Sequence, residues 1–226
     1  MPNMKKGSSE TVYYPVFLNV KGRKCAVIGG GQVALRKVVT LLEYGAKVEV
    51  ISPELCPQLA NLAGKKEISV LNREYRSGDL KGVFVAIAAT DSSIINQQVA
   101  AEARKKSALV NVVDDAGYSD FIAPSIVRRG EITIAISTSG QSPALARKLR
   151  TKLEKEFGEE YARLGRLLGE VRAEAKKQKI TVDGDGWQEA IDLERILELL
   201  KNGDEDEAKN TVLNNLKAKQ RLKAEK

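Results

Sequence analysis

The chain has 226 residues, 42% hydrophobic and 30% charged, with a formal net charge of +7. That is enough apolar material for one packed domain plus a smaller one, and no apolar run approaches the roughly 20 residues of a membrane helix. Aromatics at 5% are too few for a base-stacking platform, and the lack of histidine, with only Cys25 and Cys56 far apart, excludes a structural zinc site.

The N-terminal stretch MPNMKKGSSETVYY has no signal-peptide apolar region, so a cytoplasmic protein is expected. From Lys24 strand and helix alternate. KCAVIG is an apolar run ending in glycines, and VALRKVVTLLEYG follows with Val38, Leu41 and Leu42 at helical spacing and Gly45 as a stop. KVEVIS reads as a second strand, ELCPQLANLA as a short helix broken early by Pro57, and ISVLN as a third strand. VFVAIAAT is a fourth strand, apolar on both faces as buried parallel strands are. SSIINQQVAAEARKK sets Ile95, Val99 and Ala103 four apart, with Asp91 or Ser92 as its cap and capping the first reading of Asp91, and LVNVV is a fifth strand. This order predicts an α/β fold with a Rossmann-like parallel sheet.

After Asp115 the rhythm changes. FIAPSIVRRGEITIAIST holds two strand-like runs around RRGE. SPALARKLRTKLEKEFG opens with Ser142 as N-cap and Pro143 at the first helical position, with Leu145, Leu149 and Leu153 as its stripe. From Glu159 the pattern is helical: Tyr161, Leu164, Leu168 and Val171 share one face. VDGDGW reads as a loop, and WQEAIDLERILELLKNG presents Leu193, Ile196, Leu197 and Leu200. A last helix follows GDEDEA and ends in the frayed, solvated tail KAKQRLKAEK. The expected division is residues 1–115 as a nucleotide-binding Rossmann-like domain, 116–150 as a small mixed α/β segment for dimerisation and substrate binding, and 151–226 as a helical module. Residues 116–150 are too few to hold a core, so they are expected to pair with the same segment of a second chain.

VIGGGQVA places Gly29, Gly31 and Ala34 at G-x-G-x-x-A spacing, after a strand and at a helix start. The first glycine makes the turn, the second admits a pyrophosphate, and the small third residue lets the helix sit close to the strand. The anion would rest on the helix amides near Gln32 and Val33. The second strand lacks the usual ribose acid at its end. Ser52 or Glu54, on either side of Pro53, would serve there, and with no arginine close behind, NAD is favoured over NADP. The Ala88–Asp91 and Asn111–Asp115 loops lie at the same sheet edge. On pattern alone Asp114 is equally a turn former and a functional acid.

Five blocks, YYPVFLNVKGRKCAVIGGGQVALRK, VAIAATDSSIINQQVA, NVVDD, FIAPSIVRRG and IAISTSGQSPALARKLR, run in that order from about Tyr14 to Leu153. They resemble the precorrin-2 dehydrogenase family, the NAD-dependent unit of siroheme synthesis that also forms the N-terminal part of larger siroheme synthases. The resemblance implies NAD-dependent oxidation of precorrin-2 to sirohydrochlorin, dimers built through the middle segment and, in some members, ferrous iron insertion. It puts the family's catalytic aspartate at Asp114, and cofactor contacts at 29–33, at Pro53 and Glu54, and in the 88–91 loop. Thr138 stands where some members carry a serine that can be phosphorylated. No methyltransferase domain follows, so a stand-alone form is expected.

The implied substrate is a tetrapyrrole polycarboxylate. Residues 121–152 hold six basic side chains, Arg128, Arg129, Arg147, Lys148, Arg150 and Lys152, against the single acid Glu131. Arginine forks bind carboxylates in bidentate fashion. The expected site is therefore Asp114 as general base, with Asp115 the next candidate. Gly29, Gly31, Gln32, Val33, Ser52, Pro53, Glu54, Ala89 and Thr90 are expected to hold the cofactor. Asn111, Arg128, Arg129, Thr138, Ser139, Ser142, Arg147 and Arg150 are expected to hold the substrate, with no resident metal. Aspartates are ionised at neutral pH and accept a proton without activation, so an acid takes the place of the missing histidine. Two other classes compete. A nucleotide-sensing regulatory domain leaves the basic segment unexplained, and a nucleic-acid binder lacks its aromatic and recognition motifs.

Overall fold

The computed structural model describes residues 13–224. The signal-peptide reading rests on residues 1–14, of which 1–12 lie outside the described residues. The chain divides into two compact units, Met1–Ala123 and Pro124–Lys226. Residues 116–123 thus belong with the sheet and 124–150 with the helices.

The first unit is a five-stranded parallel sheet in the order β3-β2-β1-β4-β5. Its strands are β1 (Lys24–Ile28), β2 (Lys47–Ile51), β3 (Ser69–Leu71), β4 (Val85–Ala88) and β5 (Leu109–Val112). Successive side chains point to opposite faces. Cys25, Val27, Val85 and Ile87 meet Ala34 and Val38 of α1 (Gln32–Glu43) and Leu59 of α2 (Pro57–Gly64). Ala26, Ile28, Ala86 and Ala88 meet Val99, Ala100 and Ala103 of α3 (Ser93–Lys105). Helices cover both faces, which is why runs such as Cys25–Ile28 and Val85–Ala88 are apolar on both sides. Full burial of a branched side chain such as Ile28 or Val38 contributes roughly 1.5–3 kcal/mol. Two local readings need correction. Ser92, not Asp91, caps α3, its hydroxyl accepting from the Ile95 amide at 3.4 Å. Pro57 does not break α2 but begins it, where a missing N–H costs nothing.

The connection 72–84 carries the chain from the outer strand β3 to β4, on the other side of β1. It has no regular structure, yet Tyr75 and Leu80 are buried in the α3-side core. Its buried donors need partners. Glu102 of α3, itself 7% exposed, accepts from the Tyr75 hydroxyl, from the Gly78 amide at 3.0 Å and from the Leu80 amide at 3.2 Å. Burial and the Glu102 carboxylate both raise the Tyr75 pKa, so the hydroxyl stays a donor. Arg73 forks onto Asp79 at 2.8 and 2.7 Å and holds that carboxyl below its usual range.

The second unit opens with the antiparallel hairpin β6 (Ser125–Arg129) and β7 (Ile132–Ile136), turned at Gly130 with φ +55°. Helix α4 (Pro143–Glu156) starts as expected, with Ser142 accepting from the Leu145 amide at 3.2 Å. Helices α5 (Glu160–Lys177), α6 (Gly184–Ala190), α7 (Leu193–Asn202) and α8 (Glu205–Ala224) follow. Leu164 and Val171 of α5, Ile196 and Leu200 of α7, and Val212 and Leu216 of α8 form their shared core. Four features differ from the sequence expectation. VDGDGW is not a loop, because Asp183 caps α6, accepting from the Gly186 amide at 2.9 Å. The helical run after Trp187 is two helices, because Asp192 caps α7. The tail is helical through Ala224, with Lys219 paired to Glu189 and Gln220 donating to the Lys179 carbonyl at 3.4 Å. On α4 the residue buried is Ala146, while Leu145 and Leu149 of the expected stripe are 48% and 39% exposed.

Replacing Glu102 by Ala leaves three donors of the 72–84 connection without their acceptor. The expected loss is about 2–4 kcal/mol of unfolding free energy in urea titrations. An unchanged midpoint would show that the connection holds itself.

Candidate functional site

Strand order reverses between β1 and β4, and a cleft of about 510 Å³ opens there at the carboxyl ends of the strands. The glycines after β1 have separate duties. Gly29 has φ +123°, and a Cβ on it would overlap the Ala89 carbonyl. A Cβ on Gly30 would overlap the Glu54 carbonyl, and the Gly30 carbonyl accepts from the Cys56 amide at 2.8 Å. Gly31 is the N-cap of α1 without a side-chain cap, and a Cβ there would meet nothing within 4 Å. Gly29 and Gly30 therefore let three loops touch, while Gly31 keeps the space above the helix start open. No acid stands in the first turn of α1, whose amides lack intrahelical partners. This cradle suits a pyrophosphate. The G-x-G-x-x-A spacing overlooks Gly30; its signal was a third consecutive glycine.

Eight of the expected cofactor residues line the cleft: Gly29, Gly31, Gln32, Val33, Ser52, Pro53, Ala89 and Thr90. Glu54 does not. Its carbonyl instead accepts the buried Ser52 hydroxyl at 2.7 Å. Thr90 donates to Asn96 at 2.8 Å, which fixes the loop after β4. Glu49 lies inside β2 and pairs with Lys24 at 2.9 Å. The wall also includes Glu74, Tyr75 and Asp91. Glu74 escaped the sequence reading because it comes from the irregular connection after β3, at no set distance from the glycines.

The adjacent acids beyond β5 separate cleanly. Asp115 caps a short 3-10 turn, Ala116–Tyr118, accepting from Gly117 and Tyr118 amides at 3.0 and 3.3 Å. Asp114 is exposed and has φ +59°, a left-handed conformation uncommon outside glycine. Half-buried Lys37 of α1 is its charged neighbour. Burial lowers the Lys37 pKa and Arg36 adds to this, while Asp114 opposes it. Lys37 had gone unnoticed because nothing in the spacing ties α1 to the fifth strand. Asn111 is 8% exposed and donates to the Phe121 carbonyl at 3.0 Å, so its amide holds the chain after the turn in place.

In the second unit the basic residues divide in two. Arg129 donates to the Glu154 carbonyl at 2.9 Å and to the Arg128 carbonyl at 2.8 Å, and pairs with Glu159 at 3.6 Å. It ties the hairpin to the end of α4. Arg150 pairs with Glu154 at 2.6 Å. Arg128 is exposed, with Nε 3.4 Å from the Gly130 carbonyl. Arg147, Lys148, Lys152 and Lys155 line a shallow depression of about 490 Å³ on α4 with Ala144 and Thr151. Thr138 accepts from the Ser142 amide at 3.0 Å, and Ser139 has φ +54°, so these residues and the Ser142 cap shape the start of α4. Among the described residues no group of three or more acids or cysteines stands close enough to hold a metal ion, and no helix is long and apolar enough to cross a membrane.

Two family models match the chain in succession. A family described as putative NAD(P)-binding matches residues 16–125, and one described as sirohaem biosynthesis protein central matches residues 129–156. A siroheme synthase of Nitrosococcus oceani is 44% identical over 169 residues, 75% of this chain and 36% of that protein. A siroheme synthase of Chromobacterium violaceum is 38% identical over 199 residues, 87% of this chain and 42% of that protein. The chain thus spans less than half the length of these relatives. The solved structure of SirC, a precorrin-2 dehydrogenase, matches with a TM-score of 0.67 at 25% identity, covering 91% of this chain and 100% of that one. Matched in this order through its sheet, its hairpin and its first long helix, the chain belongs to the family of precorrin-2 dehydrogenases and siroheme synthase N-terminal regions.

Proposed function

We propose that the chain oxidises precorrin-2 to sirohydrochlorin with NAD. The observation that carries the reading is the uncapped first turn of α1, left open above Gly31 at the switch point of the sheet. Gly29, Gly31, Gln32 and Val33 would hold the pyrophosphate there, and Ser52, Pro53, Ala89 and Thr90 the two flanks of the nucleotide. When bound, NAD supplies the hydride acceptor.

The oxidation removes a hydride and a proton from the macrocycle. Asp114 takes the proton on a carboxylate oxygen. Its exposure lets the proton pass on to water. Within the second unit, Arg147, Lys148, Lys152 and Lys155 form a cationic surface of the kind that receives carboxylates. Arg129, Arg150 and Asn111, expected among the substrate residues, are held by partners in their own units and serve to shape them. In members that also take ferrous iron as substrate, the same carboxylate would accept the pyrrole protons.

The working form is a homodimer built on β6, β7 and α4. Among the described residues those strands pair only with each other, and a lone two-stranded ribbon is marginal. Leu145 and Leu149 stand exposed beside it. A second copy would extend the ribbon and cover the leucines.

Three measurements follow from these assignments. Gly31→Ala should keep the thermal midpoint of the ligand-free protein and weaken NADH binding about tenfold or more, whereas Gly30→Ala should lower the midpoint itself; equal stability loss in both would undo the division of duties. Asp114→Ala should slow anaerobic dehydrogenation about 10²–10⁴-fold while NADH titrations remain as in the unaltered protein. Wild-type turnover would remove Asp114 from the mechanism. Sedimentation at micromolar concentration should give twice the chain mass, and a monodisperse monomer would rule out the dimer.

A further inference from the structure

We propose that Glu74 sets cofactor choice: its carboxylate receives the ribose hydroxyls of the adenosine half of NAD and repels the 2′-phosphate of NADP. The inference rests on the nucleotide reading of the cleft. In a doubly wound sheet the β1–β2–β3 half serves one mononucleotide and the β4 side the other, with an acid at the end of β2 usually reading the ribose. That acid is missing. Ser52 occupies the position, buried, with its hydroxyl donated to the Glu54 carbonyl at 2.7 Å, and Glu54 stands off the cleft wall. The connection after β3 brings Glu74 to the wall on that side, while Asp91 enters from the loop after β4.

The neighbours of Glu74 favour the same discrimination. Arg73 would be the natural partner of a 2′-phosphate, but its guanidinium forks onto Asp79 at 2.8 and 2.7 Å and donates to the Glu74 carbonyl at 2.9 Å. Among the described residues no lysine or arginine lines the cleft. Tyr75, the next residue, is 8% exposed and bonded to Glu102, which also takes the Gly78 and Leu80 amides. The segment bearing Glu74 is therefore fixed on α3, and its carboxylate is presented on a rigid support. A carboxylate accepts from two hydroxyls at once and cannot accept a phosphate without repulsion.

The test is a fluorescence titration of the full chain with NADH and with NADPH. The unaltered protein should bind NADH at least about tenfold more tightly than NADPH. Glu74→Gln should narrow that ratio by about tenfold, mainly through weaker NADH binding, and Glu74→Arg should reverse the preference. Both substitutions fall on an exposed side chain and should leave the thermal midpoint in place. If both variants keep the original ratio, the assignment to Glu74 is wrong and the cleft reading stands. If the unaltered protein binds neither nucleotide, the cleft reading has failed and takes this proposal with it.

Discussion

Three backbones meet at two α-carbons, those of Gly29 and Gly30. The turn after β1 lies against the Ala89 carbonyl on one side and the Glu54 carbonyl on the other, at distances that leave no room for a methyl group. The hydrogen bonds from Gly29 to the Ile51 carbonyl at 2.9 Å and from Cys56 to the Gly30 carbonyl at 2.8 Å lock the contact. Everything in the cleft depends on it. The contact sets the width between the loops after β2 and β4, and it aims the first turn of α1 at the gap. A side chain at either glycine would push the loops apart, and the helix amides would face water instead of a wall-bounded cleft.

What remains for chemistry is set by what the fold consumes. Most acids near the cleft have structural duties. Glu102 satisfies the buried connection, Asp79 holds Arg73, Asp115 caps a turn, and Glu49 pairs with Lys24. Asp114, Glu74 and Asp91 stand outside those duties, the first beyond β5 and the other two on opposite walls of the cleft. The cations sort the same way. Arg129 and Arg150 close the hairpin and stabilise the end of α4, and the exposed face of that helix keeps Arg147, Lys148, Lys152 and Lys155. A net charge of +7 says little until this sorting is done, because Arg129 and Arg150 are spent on partners within their own unit.

The sheet was legible because its evidence is periodic. Runs such as Cys25–Ile28 and Val85–Ala88 are apolar on both faces only when helices cover both, and the alternation of strand and helix then fixes a parallel order. The start of α4 was legible for a different reason, since Ser142 and Pro143 each act on the backbone beside them. Misreadings came where two local signals compete. Asp91 and Ser92 are both good caps, and only the helix geometry selects the serine. Pro57 reads as a breaker or a starter according to which turn it falls in. Asp183 and Asp192 sit among residues that pattern alone makes loop or continuous helix, and each caps a new one. Long-range pairings left no local trace at all. Nothing around Tyr75 announces Glu102, nothing around Lys37 announces Asp114, and nothing around Arg129 announces the Glu154 carbonyl.

The proton acceptor proposed for a chain without histidine rests on how the fold separates two neighbouring carboxylates that local pattern leaves equivalent. Asp115 turns inward along the backbone and is neutralised by amides at the start of a 3-10 turn. To let it do so, residue 114 must take φ +59°, a conformation that costs about 1–3 kcal/mol in a non-glycine residue. That conformation turns the Asp114 side chain out of the ladder and into solvent beside a half-buried ammonium. The same cap that uses up one acid thus presents the other. An asparagine or glycine would tolerate the left-handed backbone better, and neither carries a carboxylate, so the strain at position 114 fits the proton-accepting role proposed for it.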